Sequence, residues 1–227
     1  EEGYFADVKV FGSIAYSKTR PDADGQMLGF TMPGAPSATN PLGGQLIAGA
    51  DVGESKSGHS YWFGAQLPVT VDDENYGVVG LEYNHGSEYW RPFDYAEDTM
   101  IGSKLAARGD AWEAYYTYQI SEALSAQVRY TSIDYDYAGS NGFFASGGAP
   151  FDVDAIKEGS DLWTAGGGDP ATVAGLIAQQ MGITGTPTAE EAAIIAGQTA
   201  GAGLAASFAP SIVDKAQDFR FYLRYRF

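Results

Sequence analysis

The closing residues Gln217–Phe227 (QDFRFYLRYRF) alternate without a fault. Phe219, Phe221, Leu223, Tyr225 and Phe227 hold the odd positions; Asp218, Arg220, Arg224 and Arg226 hold even ones, with Tyr222 among them. A period of two requires a strand with one apolar and one charged face. The stretch also matches the roughly 9–11 residues of a tilted strand that crosses a bilayer. A half-buried strand of a soluble sandwich alternates too. The apolar row here is almost wholly aromatic and the sequence stops on it, which favours lipid on that side.

Five other segments repeat the pattern, giving expected strands at about 4–17, 59–71, 76–86, 104–120, 124–137 and 217–227. In the first, Ala6, Val8, Val10, Ile14 and Tyr16 form the apolar row, with Phe11 and Ala15 as exceptions on the polar one. Trp112–Tyr130 reads as a hairpin pairing 114 with 130, 116 with 128 and 118 with 126, so outward residues always meet outward residues. A second hairpin, around Asp72–Asn75, is expected to pair 65 with 83, 67 with 81 and 69 with 79. Pro68 counts against a central strand there. Short connections at 72–76 and 121–123 alternate with long ones at 17–58, 86–103 and 138–216, as in membrane barrels with short periplasmic turns and long external loops. The expected fold class is therefore all-β: a transmembrane antiparallel β-barrel domain over residues 1–227.

Composition fits this expectation. The chain combines 30 glycines, 15 tyrosines and 12 phenylalanines with no cysteine and a formal charge of −16. The absence of cysteine excludes disulfides, thiolate metal sites and a thiol nucleophile. The acidity argues against a nucleic-acid partner, which needs clustered Lys and Arg. No run of about 18 apolar residues suggests a membrane-crossing helix. The beginning, EEGYFADVKV, has no basic n-region or apolar h-region. The expectation is that a leader has been removed or that the chain starts within a longer product. Single-chain barrels begin at about eight strands, so six point to the carboxyl-terminal part of a larger barrel, or to a homo-oligomer, a trimer included, that closes one barrel jointly.

The ending resembles the terminal strand of Gram-negative outer-membrane proteins, in which a last Phe behind alternating aromatics is the signal read by the barrel assembly machinery. On that resemblance, Phe219, Phe221, Leu223, Tyr225 and Phe227 carry assembly. The stretch AWEAYYTYQISEALSAQVRYTSIDYDY (111–137) together with FRFYLRYRF is similar to the carboxyl-terminal part of an uncharacterised porin-like family of delta- and epsilonproteobacteria. The resemblance implies the Gram-negative outer membrane as location, with lipid and lipopolysaccharide as partners. It transfers no catalytic residues.

Inward parity assigns Asp7, Lys9, Glu82, Glu113, Arg129, Asp218, Arg220, Arg224 and Arg226 to a lumen. Glu82 and Glu113 facing the cations of the last two strands would set a transverse field, which orients polar solutes and selects ions. The expected function is a channel for passive diffusion of small polar solutes or ions. Its rivals are a salt-bridged wall serving as sheath or anchor for a partner such as an electron carrier, and an omptin-like rim protease using His59, Asp134 or Asp136. With Phe63 opposite His85, the two histidines stand about four residues, roughly 13 Å, apart along the strand. That separation disfavours a dyad, so no enzyme is expected.

Asp22 and Asp24, in Asp22-Ala23-Asp24-Gly25, resemble the opening of a calcium loop without its later acids; loosely held calcium is the only cofactor suggested. The 138–216 insert carries helix signals. Asp169 and Pro170 mark an N-cap and first turn for a helix to about Met181. Thr188 and Glu191 have capping-box spacing ahead of an alanine-rich run, 190–196, that glycines at 197, 201 and 203 should weaken. The insert is expected either to fold into the lumen or to cap the barrel outside.

Overall fold

The computed structural model describes residues 7–71, 74–92, 101–139 and 148–227. Its main element is a six-stranded antiparallel sheet in the order β1-β4-β5-β6-β7-β8. The strands are β1 (Lys9–Lys18), β4 (Ser57–Val71), β5 (Glu74–Gly86), β6 (Gly109–Gln119), β7 (Leu124–Tyr135) and β8 (Lys215–Tyr225). Two short strands, β2 (Gly29–Thr31) and β3 (Leu46–Gly49), form a separate hairpin within the 17–58 connection, which the sequence pattern does not reveal. Three helices follow β7: α1 (Val153–Ala165), α2 (Pro170–Gln180) and α3 (Ala189–Phe208). The protein is thus mostly β with a helical insert. The sheet is not closed: among the described residues β1 pairs only with β4, and β8 only with β7.

Strands β5, β6 and β8 show their two-residue period most plainly in their exposure. Val10, Ile14, Phe63, Leu67, Val79, Leu81, Trp112, Tyr118, Tyr130, Phe219, Phe221 and Leu223 are large apolar residues exposed on one face. On the opposite face Ser60, Glu82, Asn84, Glu113, Gln127 and Thr131 are buried. This inverts the usual arrangement, in which charge faces water and apolar side chains form the core.

The β6–β7 register agrees with the sequence pattern residue for residue: Ala114↔Tyr130, Tyr116↔Val128 and Tyr118↔Ala126. The β4–β5 register does not. Leu67 faces Val79 and Ala65 faces Leu81, a shift of two residues, because the strands run on to Val71 and resume at Glu74 with an irregularity at Val69/Thr70. A shift of two leaves each residue on its own face, so the alternation cannot detect it. Pro68 is accommodated within β4, opposite Val78 of β5. The expected strand at 104–120 starts only at Gly109, since Lys104–Ala106 form a 3-10 turn.

Glycine and aromatics are complementary in this sheet. A Cβ on Gly80 would lie 2.1 Å from the Tyr115 ring, and one on Gly64 2.2 Å from the Phe11 ring. Each ring therefore lies flat over a neighbouring strand, a cross-strand pairing that stabilises glycine positions in sheets. This explains Phe11, the aromatic on the polar row, which also packs on Trp62 at 4.8 Å.

The helices pack on one another, around Val173, Ile177, Ile195 and Ala202. They join the β2–β3 hairpin through Phe30, Phe151 and Phe208. Among the described residues no helix packs extensively on either face of the six-stranded sheet. Asp169 caps α2 and the Thr188–Glu191 capping box opens α3, as the sequence indicates. The sequence gives no notice of α1, which is capped by Asp152. Helix α3 also runs well past Ala196. Gly203 lies beneath Trp163, where a Cβ would come within 3.0 Å of the ring, so close packing compensates the lower helix propensity there. The stretch Ala189–Ser211, 23 residues of mean hydropathy 1.3, is long and apolar enough to cross a membrane by length and composition. The same stretch packs on α1 and α2 as a helix of the insert.

Thr188→Ala removes the hydroxyl that accepts the Glu191 N–H. The expected cost is about 1 kcal/mol, or about fivefold faster amide exchange in the first turn of α3 by hydrogen-exchange mass spectrometry. The Glu191 carboxyl is held below the ordinary glutamate range by the Thr188 N–H and hydroxyl. Its contribution is therefore present above the ordinary glutamate pKa and lost as pH falls through the lowered value.

Candidate functional site: a charged network on the polar face

The β5–β6 register places Glu82 directly opposite Glu113, an unfavourable pairing of like charges. Lys104 resolves it. The 3-10 turn carrying Lys104 folds onto the polar face, and Nζ reaches Glu82 Oε2 and Glu113 Oε1, each at 2.6 Å. Asn84 fixes the turn by donating to the Lys104 carbonyl at 2.9 Å, and Trp90 Nε1 donates to the Leu105 carbonyl at 2.8 Å. Arg108, fully buried, donates to the carbonyls of Trp90 and Gly148 at 2.9 and 2.8 Å. Among the described residues, the turn before β6 supplies the cation that meets these two acids.

Further donors reach the same two carboxylates. Trp62 Nε1 donates to Glu82 Oε2 at 3.0 Å, and Thr131 donates to Glu113 Oε2 at 2.8 Å. Arg129 Nη1 lies 3.2 Å from Glu113 Oε1, and its guanidinium rests 5.2 Å from the Tyr115 ring centre. Beyond it, Arg129 faces Arg220 directly across β7–β8. Arg220 pairs with Asp218 and donates to the Tyr222 hydroxyl at 2.8 Å. The guanidiniums of Arg129, Arg220 and Arg224 lie 5.8, 6.0 and 5.1 Å from the Tyr222 ring centre. One connected polar surface thus crosses β4 to β8.

Glu82, Glu113, Arg129, Asp218, Arg220 and Arg224 come together as their parity indicates. Asp7 lies exposed ahead of β1, and Lys9 is exposed on β1 opposite Gln66, so neither joins the network. The expected opposition of bare carboxylates and guanidiniums is corrected by Lys104, which bridges the two acids. Lys104 escaped sequence reasoning because a period of two describes only strands. Its one signal is being the sole lysine between Lys56 and Lys157.

On the apolar face, Asp110 accepts from the Tyr83 hydroxyl at 2.6 Å and meets His85 Nδ1 at 2.8 Å. His85 stacks on Tyr61 at 5.0 Å. Because Tyr61 rather than Phe63 faces His85, His59 stands only two positions away, about 7 Å along the strand. Asp134 is paired with Lys215 at 2.8 Å, so it is not joined to either histidine. Asp22 and Asp24 are exposed in a turn closed by the Gly25 N–H and the Asp22 carbonyl. Among the described residues no group of three or more His, Asp or Glu is arranged to hold a metal ion.

A mostly antiparallel β protein whose main sheet has one apolar and one charged face is the class this geometry defines. The chain belongs to the DUF3373 family of proteins of unknown function, whose model matches residues 1–166, from the amino-terminal strand through α1. No curated protein and no solved structure matches it.

Proposed function

We propose that this chain forms part of the wall of an outer-membrane β-barrel whose polar face lines a passage for small polar solutes or ions. The observation that carries this reading is the inverted sheet. Row after row across the strands is free of charge on the apolar face: Gly12–Phe63–Tyr83–Trp112–Ser132–Gln217, then Val10–Ala65–Leu81–Ala114–Tyr130–Phe219, then Leu67–Val79–Tyr116–Val128–Phe221. Charge returns at the row of His85, Asp110, Asp134 and Lys215. From Asp110 to Ile120 is about 33 Å of strand, or about 25 Å of height at a tilt near 40°, the height of a lipid-facing band. The Tyr61–His85–Asp110–Tyr83 cluster, with Trp112 4.5 Å from Tyr83, then forms an interfacial girdle.

On this reading Phe219, Phe221, Leu223, Tyr225 and Phe227 face lipid and serve as the assembly signal. The helical insert lies on the external side. The edges of β1 and β8 are completed by further strands, because an unpaired edge is not tolerated in lipid. The salt-bridged cluster of Glu82, Lys104, Glu113 and Arg129 favours a second role for the same surface as a narrowing wall. Planar-bilayer recording of the complete assembly tests the channel. Open conductance is expected, and Glu113→Gln, which removes an anion beside Arg129 and Lys104, shifts the reversal potential towards anion preference. A complete assembly that inserts and does not conduct would refute the channel.

A further inference from the structure

We infer that Arg129, Arg220 and Arg224, arranged around Tyr222 and Gln127, form a binding site for a small oxyanion bearing a phosphate or carboxylate group. Access to the site rests on the reading of this face as the lining of a passage; the arrangement of the site does not.

Four features carry the inference. Arg129 and Arg220 are direct partners across β7–β8, and like charges so placed repel unless an anion stands between them. The acids nearby are already committed. Asp218 is paired with Arg220, and Glu113 is shared among Lys104, Arg129 and Thr131. Arg224 has no carboxylate within ion-pair distance among the described residues. The third feature is Gln127. Arg129 Nη2 and Arg224 Nη2 both point to its Oε1, at 3.4 and 3.5 Å.

Those are long contacts to a neutral oxygen, where a guanidinium paired with an anion takes shorter, stronger bonds. Gln127 is itself held in place, buried, by donating to the Thr117 hydroxyl at 2.6 Å. Finally, Arg129 Nε is buried without a hydrogen-bond partner among the described residues. Several donors thus surround one weak neutral acceptor, in a chain whose formal charge is −16. Arginine's planar fork is suited to phosphate and carboxylate oxygens, and the Tyr222 ring helps hold the guanidiniums in place.

The test is titration calorimetry of the full chain, folded in detergent, with inorganic phosphate and with succinate at constant ionic strength. Saturable binding of at least one probe is expected, and their relative affinities separate a phosphate site from a carboxylate site. Arg224→Gln weakens binding about tenfold or more, as expected for loss of a charged hydrogen bond. Gln127→Glu is the sharper variant, because it places a carboxylate between the two guanidiniums while removing no cation. It is expected to abolish binding and to leave the far-ultraviolet circular dichroism unchanged. No saturable binding by the folded wild-type chain overturns the site, as does binding that Gln127→Glu leaves intact. The channel and the site fail separately: conductance without oxyanion binding removes the site, and oxyanion binding without conductance removes the channel.

Discussion

Leu81→Arg is expected to cost about 2–4 kcal/mol in folding into liposomes, the penalty for arginine near the midplane of a lipid-facing strand. Leu81 is 50% exposed and sits in the middle row of the apolar face, between Ala65 and Ala114. In a water-soluble sheet the same change would alter stability by no more than about 0.5 kcal/mol, since half-exposed positions away from caps and cores are permissive. Gln119→Arg, on the polar face and exposed, provides the matched control and is expected to fold nearly as wild type. Urea titration of folding yield in liposomes measures both. Wild-type behaviour of Leu81→Arg would remove the main support for lipid on that face.

Lys104→Met is expected to destabilise the chain by about 3–5 kcal/mol, because removing one partner from a buried ion pair leaves charge uncompensated. Two carboxylates would remain face to face, with Glu113 only 2% exposed and Arg129 its remaining cation. Adding Glu82→Gln to Lys104→Met leaves the single Glu113–Arg129 pair, and more than half of the lost stability should return. Such coupling is expected when residues share one network. Guanidinium unfolding of the detergent-solubilised chain measures the cycle. Additive effects in the double variant would show that Lys104 does not act through Glu82.

The alternation of side chains is a local property, and what it can encode was legible. It assigned both faces of the sheet and the β6–β7 register, while the helix caps at Asp169 and Thr188 were legible from their own capping residues. It could not separate a β4–β5 register from one shifted by two, since both put Leu67 and Val79 on the same side. The length of α3 was hidden for a different reason. Its glycines are unfavourable as isolated helix residues, and at Gly203 the compensation comes from Trp163 in another helix. Within the candidate site, parity found the six charged strand residues and missed the seventh, Lys104, because only the tertiary path of the 101–108 segment brings it between the acids.

That path has a consequence for the order in which the sheet can form. Lys104 is 22 residues from Glu82 and nine from Glu113, and all three lie within one β5–β6 hairpin and its connection. Contacts of such short sequence separation close early and at small entropic cost. The two anions thus acquire their counter-ion from within their own hairpin, before any distant strand arrives. A chain assembling strand by strand would never have to carry bare carboxylates into the sheet, and a Lys104 variant should be delayed at that hairpin rather than at final closure.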